Sequence, residues 1–411
     1  MAWPSAFRAL RHRDYRVFFA GQTISLVGNW MQSVAQAWLV LHLTGSPLRL
    51  GLVSTLQFLP LLVLAVPAGA LTDRVPKRRT LMITQAVLGV QSTALALLVW
   101  GGHVQYWHVC AMAVVAGFVN TLDMPTRQTF VAELVGREDV ASAIGLNSAS
   151  FNAARIVGPA AAGLLIAQVG LPAAFALNAA SFVVVIVALA QLRARGAPRP
   201  RGPGTMWDDI QAGLVYALRT PRIRFTLGVL LVVSLCVFNF NVFVPLIARQ
   251  ALGLDAQGFG FLMAWLGAGA VTGALALGAL GRRRPPVLVT GLVACAALAA
   301  LAGAHRFGWA AAGLYVVGAA AIMTAAGCNT TLQLTAPDEL RGRVMSLYTL
   351  IFGGTIPFGA FAVGAVSEAW GVGRALLGAG VLGMLGLGAL WLLSRRVPNS
   401  DSLPPPGGGL G

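Results

Sequence analysis

Charge is scarce in this chain: 10% of its 411 residues are Asp, Glu, Lys or Arg, against about 25% in a soluble domain. That is too little polar surface to cover a 57% hydrophobic content in water, so the solvent is lipid. Lysine is almost missing, with Lys77 alone beside 28 arginines. This matches an Ala- and Gly-rich composition and carries no functional weight. The four cysteines, Cys110, Cys236, Cys295 and Cys328, sit in apolar runs without a CxxC pair. No disulfide framework or zinc site is expected, and they read as small buried or lipid-facing residues. There is no GxxxxGK[ST] loop, so ATP is not the energy source within this chain, and no HExxH or His/Cys cluster. Hence no catalytic residue, metal ligand or cofactor is assigned. The N-terminus lacks a cleavable-signal pattern and runs straight into a full-length apolar span.

Long apolar runs dominate instead. A helix needs about 20 such residues to cross a bilayer. Twelve runs qualify, at 17–41, 48–71, 80–100, 105–130, 140–168, 171–192, 223–248, 257–281, 286–304, 309–334, 343–368 and 373–394. They predict an all-α membrane protein of two six-helix bundles, residues 1–192 and 223–396. Residues 193–222 form a basic linker, and 397–411, rich in Pro and Gly, read as a disordered tail. Within the linker, Thr205 is a candidate N-cap. Trp207, Ile210, Leu214 and Leu218 share one face of a short helix suited to the membrane surface.

The bases are not evenly spread. With both termini on one side of the membrane, that side holds 24 of the 29 Lys and Arg. Arg49, Arg249, Arg306 and Arg374 lie on the other, and Arg155 falls inside a span. The positive-inside rule places the termini in the cytoplasm of a multi-pass protein in the cytoplasmic (inner) membrane. Topology thereby accounts for the net charge of +16, leaving no need for a nucleic-acid partner. The expected partners are the bilayer and a small-molecule substrate, with the chain acting as a monomer.

The halves echo each other. "GFVNTLDMPTRQ" closes span 4 and "GCNTTLQLTAPDE" closes span 10, each with an Asn-Thr pair at Asn120 and Asn329. "AGALTDRVPKRR" after span 2 has a counterpart, "LGALGRRRPP", after span 8. Internal repeats of this kind are common in secondary transporters, whose substrate site lies between the repeats near the midplane.

Polar residues inside spans mark that site. On span 1, Gln22, Ser25, Asn29, Gln32, Ser33 and Gln36 fall within about 100° of one another, a stripe that lines a cavity or meets another helix. Asn120, Asn239 and Asn329 are further cavity candidates, with Phe238, Phe240 and Trp265 as aromatic walls. Placing Arg155 in mid-bilayer costs at least ~2.5 kcal/mol. It admits two readings: a cavity cation meeting an anionic substrate or a protonatable acid, and a structural strut.

Gly69, Leu71, Asp73, Arg74, Lys77 and Arg78 match the G-x-L-x-D-R-x-x-R/K-R/K loop signature of the major facilitator superfamily. "RIVGPAAAG", with Gly158, Pro159 and Gly163, resembles the Gly-Pro motif of drug and proton antiporters. "FRALRHRDYRVFFAGQTISLVGNWMQ" and "VNTLDMPTRQ" resemble the branch containing enterobactin-type siderophore exporters and macrolide efflux proteins. The resemblance implies a gate: Asp73 docks at the start of span 11, where a helix N-terminus favours a carboxylate by about 0.3–1 kcal/mol. Lys77 or Arg78 then pairs with Asp73, and Asp123 joins as proton-carrier candidate. Gly158, Pro159 and Gly163 form a tight contact between the halves. Pro76 departs from the glycine common in the pattern, the second copy lacks its Asp, and span 4 lacks the mid-membrane Arg of many proton-driven relatives.

The function so implied is proton-coupled export of small hydrophobic or amphiphilic compounds, a multidrug-type antiport by alternating access. One alternative is a siderophore or other anionic metabolite exporter; another is a membrane sensor or scaffold that transports nothing.

Overall fold

Nine helical stretches among the described residues are long and apolar enough to cross a bilayer. The computed structural model describes residues 5–194, 196, 214–281 and 285–395. The tail 397–411, Trp207 and Ile210 of the linker, the surroundings of Gly69 and the side chain of Asp73 lie outside the described residues. Leu214 and Leu218 are described, and exposed.

One of the nine stretches, Tyr106–Val169, is 64 residues long, enough for two passes. It turns at Gly136, whose φ of +70° is open to glycine and strained for other residues. It therefore supplies α4 (106–135) and α5 (137–169). The break between the predicted spans 105–130 and 140–168 is thus helical except at that residue. Two more spans complete twelve. The helix Arg13–Thr44 (α1) carries the polar stripe that lowers its hydropathy, and Val287–Gly303 (α9) is short but apolar. The rest are α2 (Pro47–Arg74), α3 (Lys77–Trp100), α6 (Leu171–Ala190), α7 (Pro221–Ala251), α8 (Ala256–Ala279), α10 (Phe307–Thr335), α11 (Asp338–Trp370) and α12 (Val372–Arg395).

Two predicted spans are interrupted. α7 breaks at 237–239 and ends in a π-helical turn, Ile247–Ala251, and α11 breaks at Thr355. Local punctuation follows the sequence closely: Ser46 caps α2 by accepting the Arg49 N–H, with Pro47 at the first helical position. The connections from α5 to α6 and from α11 to α12 turn on equivalent positive-φ glycines, Gly170 and Gly371.

Core packing differs between the two ends of the bundle. At the end far from the termini, one core runs through both halves and joins Met31, Val34 and Leu50 to Val233, Phe259 and Leu262. At the arginine-rich end there are two separate clusters. Tyr15, Phe18, Phe130 and Leu189 pack in the first half, and Ile223, Leu332 and Val344 in the second.

Candidate functional site

Two helix pairs join the halves, α2 with α11 and α5 with α8, and small residues set how closely they approach. A Cβ on Gly51 would lie 2.5 Å from the Ala360 carbonyl oxygen, and one on Gly364 2.7 Å from that of Pro47. In the other pair, a Cβ on Gly260 would lie 2.5 Å from the Pro159 oxygen, and one on Gly163 3.0 Å from that of Ala256. Such backbone-to-backbone contact is how membrane helices gain packing energy without a hydrophobic drive. Hydrogen bonds reinforce the α2–α11 seam. Thr55 Oγ1 donates to the Pro357 carbonyl at 2.9 Å, and Glu368 Oε2 accepts from Ser46 Oγ at 2.9 Å and from the Leu48 N–H at 3.3 Å.

These seals stop partway along the helices. On α5, Arg155, Pro159 and Gly163 face α8 and are buried. Steps of 7 and 11 residues back from Arg155 return to the same face within about 20°. There Ser148 is exposed and Ile144 is 58% exposed, with Phe151 beside them at 45%. α11 repeats the pattern: Gly353, Pro357 and Gly364 are buried, while Gly342, Ser346 and Thr349 on that face are exposed. The halves are therefore closed at the far end and parted at the arginine-rich end, leaving a cleft between them.

Arg155 stands where covered face gives way to open face. It is 7% exposed, and its guanidinium makes no hydrogen bond or ion pair with a described residue. Its Cζ lies 5.9 Å from the ring centroids of both Trp30 on α1 and Phe240 on α7. Each half thus supplies one ring. A desolvated contact of this type is worth up to ~2 kcal/mol. Trp30 also meets Phe151 edge to face at 5.8 Å. Phe238 stacks at an angle on Phe240 at 5.4 Å and meets Phe352.

Of the two courses expected of the α1 stripe, most of it takes the second and meets neighbouring helices. Gln32 Oε1 accepts from Ser92 Oγ at 2.5 Å and from Asn178 Nδ2 at 2.7 Å, and Gln32 Nε2 donates to Gln91 at 2.9 Å. Asn29 accepts from the same Asn178, and Gln36 donates to Gln57 on α2 at 3.4 Å. These residues bind α1 to α2, α3 and α6, because an amide in hydrocarbon finds the nearest amide. Gln22 is buried too, its Oε1 without a partner among the described residues. Ser33 is the member that reaches the other half, at Asn241 (3.4 Å).

Other cavity candidates divide. Asn120 is exposed beside Met124, one turn on along the same face of α4. Asn329 is half-buried and accepts from Gln333 Nε2 at 2.6 Å. Asn239 is buried in the break of α7, donating to the Leu235 carbonyl at 2.7 Å and wedged against Gly359 of α11, so it closes the second half and does not line the cleft. Trp265 is 47% exposed and meets Tyr315 of α10. It lies roughly 140° around α8 from Gly260, on the outer surface. Gly158 likewise faces inward within its own half: a Cβ there would meet Trp30 Cβ at 2.5 Å. Pro159 and Gly163 make the contact between halves without it.

Of the predicted acid–base cluster, the pairing of Asp73 lies outside the described residues, and the other members are placed as follows. Asp123 is buried and accepts from Thr84 Oγ1 at 2.6 Å, from Gln85 Nε2 at 2.8 Å and from Arg127, one turn on in α4. Lys77, also buried, pairs with Glu133 at 2.9 Å. Arg78 donates to the Ala190 carbonyl at 2.6 Å, and Arg74 is exposed. The i,i+4 spacing gives Arg127 first access to Asp123.

Three acids were missed from sequence: Glu133, Glu368 and Asp139. Asp139 opens α5 and is almost fully buried. Arg11 Nε and His12 Nε2 each lie 2.8 Å from its Oδ2, and Arg8 Nε 3.3 Å from its Oδ1. The hydrogen bond with His12, aided by the two arginines, holds the carboxyl below its ordinary value. This docks the N-terminal turn, Ser5–Arg11, onto α5. An acid in the first turn of a helix was the available signal.

Residues 4–405 match a family model described as transmembrane secretion effector. The multidrug efflux pump Tap of Mycolicibacterium fortuitum is 29% identical over 95% of this chain and 97% of its own. The enterobactin exporter EntS of Escherichia coli O1:K1 / APEC is 26% identical over 82% and 81%. The staphyloferrin A transporter of Staphylococcus aureus is 22% identical over 64% and 66%. Among solved structures, the nucleoside transporter NupG superposes with a TM-score of 0.77 at 10% identity, over 94% of this chain and all of that one. A bacterial homolog of the human lysosomal transporter Spinster superposes at 0.75 and 13%, over 96% and 98%.

Proposed function

This chain belongs to the transmembrane secretion effector family of major facilitator transporters, and on that footing we propose that it exports small amphiphilic compounds by alternating access. The observation that carries the reading is the cleft itself, sealed at one end by glycine contacts and open along the same helix faces at the other. The positive-inside rule puts the open, arginine-rich end in the cytoplasm, where cargo is loaded. Relatives named as a multidrug pump and as an enterobactin exporter support the outward direction.

Rocking the halves would part the α2–α11 and α5–α8 seals and close the arginine-rich end. In that closed state Asp73 docks at the start of α11 as the gate latch. Exchange for protons is part of the proposal, with Asp123 as carrier. Its partners fix the condition for that role: a proton on Asp123 displaces Arg127, so binding and release depend on that arginine swinging away. The transporter works as a monomer in the cytoplasmic membrane.

Efflux from proteoliposomes loaded with a fluorescent amphiphile tests this. The wild-type chain should export the dye when a proton gradient drives protons inward in exchange. Asp123→Asn should abolish the gradient dependence while leaving exchange of dye across the membrane intact, and Asp73→Asn should slow both. Absence of dye movement in the wild type would end the export reading; unchanged gradient dependence in Asp123→Asn would remove it as carrier.

A further inference from the structure

Arg155 is a buried cation with no counter-charge, and every described acid is committed elsewhere. Asp123 is held by Arg127, Glu133 by Lys77, Asp139 by the N-terminal bases, and Glu368 by the start of α2. Asp255 caps α8, and Asp14 accepts from the Arg193 and Ala194 N–H groups. Glu138 lies 4.0 Å from Arg11 at the arginine-rich end. Asp73, Asp338 and Glu339 belong to that same end by position in their helices. From Arg155 back to the start of α5 is about 27 Å of helix, far beyond the reach of an ion pair.

The surroundings of the guanidinium are as informative as its solitude. Trp30 and Phe240 flank it at equal distance and neither can accept its N–H groups in the plane. With ring faces as its near neighbours, the guanidinium keeps its N–H groups for a ligand. Phe151 meets Trp30 and Phe238 meets Phe240, so aromatic surface continues from the guanidinium in both halves. Gly158 gives Trp30 the room to stand there.

We infer that Arg155 is an anion-receiving subsite, and that the cargo it selects is an aromatic or apolar body bearing one carboxylate, sulfonate or similar oxyanion. The anion takes the edge of the guanidinium, bidentate where its geometry allows, and the apolar body lies along Trp30, Phe151 and Phe238. The site has a second property. One ring comes from each half, so rocking the halves draws Phe240 away from Arg155 and opens the subsite toward the far end. Loading and release are thereby tied to the same movement. This inference rests on the export reading for the sidedness of loading, and its binding component stands apart from it.

The test is equilibrium binding to the purified full chain in nanodiscs of zwitterionic lipid. Two fluorescent probes share one aromatic body: 8-anilino-1-naphthalenesulfonate, which is anionic, and N-phenyl-1-naphthylamine, which is neutral. The wild-type chain should bind the sulfonate saturably and tighter than the amine. Arg155→Gln should weaken the sulfonate on the order of tenfold or more and leave the amine within about twofold, with Arg155→Lys between. Equal loss of both probes, or no loss of either, would overturn the subsite and make Arg155 a strut. Should Arg155→Gln fail to fold, the wild-type comparison still decides, because a saturable preference for the neutral probe would also overturn it. Selective binding without export in proteoliposomes would uphold the subsite and end the export reading; export of the sulfonate indifferent to Arg155→Gln would do the reverse.

Discussion

Asp123 and Asp139 are both buried acids, and a proton would undo different things at each. At Asp123 four donor atoms from α3 and α4 converge inside one half. At Asp139 the partners come from the N-terminal turn, so this carboxylate holds a segment in place. Its value lies below the ordinary 3.8. A depressed carboxylate contributes its stabilisation above the ordinary value and loses it as pH falls through the depressed one. The N-terminal turn should therefore stay docked through neutral and mildly acid pH and come free only in stronger acid. Asp139→Asn should free it at neutral pH, read as faster tryptic cleavage at Arg8 and Arg11 and faster amide exchange over residues 5–12. Unchanged protection would assign the docking to the Ala9–Ser142 and Tyr15–Asn147 hydrogen bonds instead.

Helix pairs set the equilibrium between states. The far-end seal depends on backbone contact at Gly260, where a methyl group would stand 2.5 Å from the Pro159 oxygen and 2.8 Å from the Gly163 Cα. Neither neighbour is a flexible side-chain tip. Gly260→Ala should destabilise this state by about 1–3 kcal/mol and shift spin-label distances across the far end toward a parted population. Glu368→Gln acts at the other seam, where it keeps an acceptor for Ser46 Oγ but loses the charge at the α2 N-terminus. Its effect on the same distances should be smaller, ~1 kcal/mol or below. If Glu368→Gln exceeded Gly260→Ala, polar latching rather than close packing would govern the seal.

For the whole molecule, the proposed loading state predicts which residues water can reach. Ile144 lies on the uncovered face of α5 and Ala162 on the covered one, fully buried. In a background lacking the native cysteines, Ile144→Cys should react with a membrane-impermeant maleimide applied from the cytoplasmic side. It should stay silent from outside, and Ala162→Cys should stay silent from both. Labelling of Ile144→Cys only from outside would invert the topology and with it the direction of transport.

Twelve spans, two halves and an arginine-rich end were legible in the residues because each is a local or additive property. An apolar run needs only lipid to become a helix, and charges can be counted without knowing where helices meet. The superfamily loop and the Gly-Pro motif were legible as strings, yet Gly158 proved to serve Trp30 within its own half. The tertiary structure decided which polar groups meet. Gln32 found Gln91, Ser92 and Asn178, Asp123 found Arg127, and Arg155 found two rings from opposite halves. These choices depend on helix rotation and on approaches set by single Cβ atoms, so a stripe that is polar along one helix can line a cavity or be consumed by its neighbours. Composition and spacing determined that the chain crosses a membrane and how often; only the packing of one half against the other decided where the cleft opens and which rings meet Arg155.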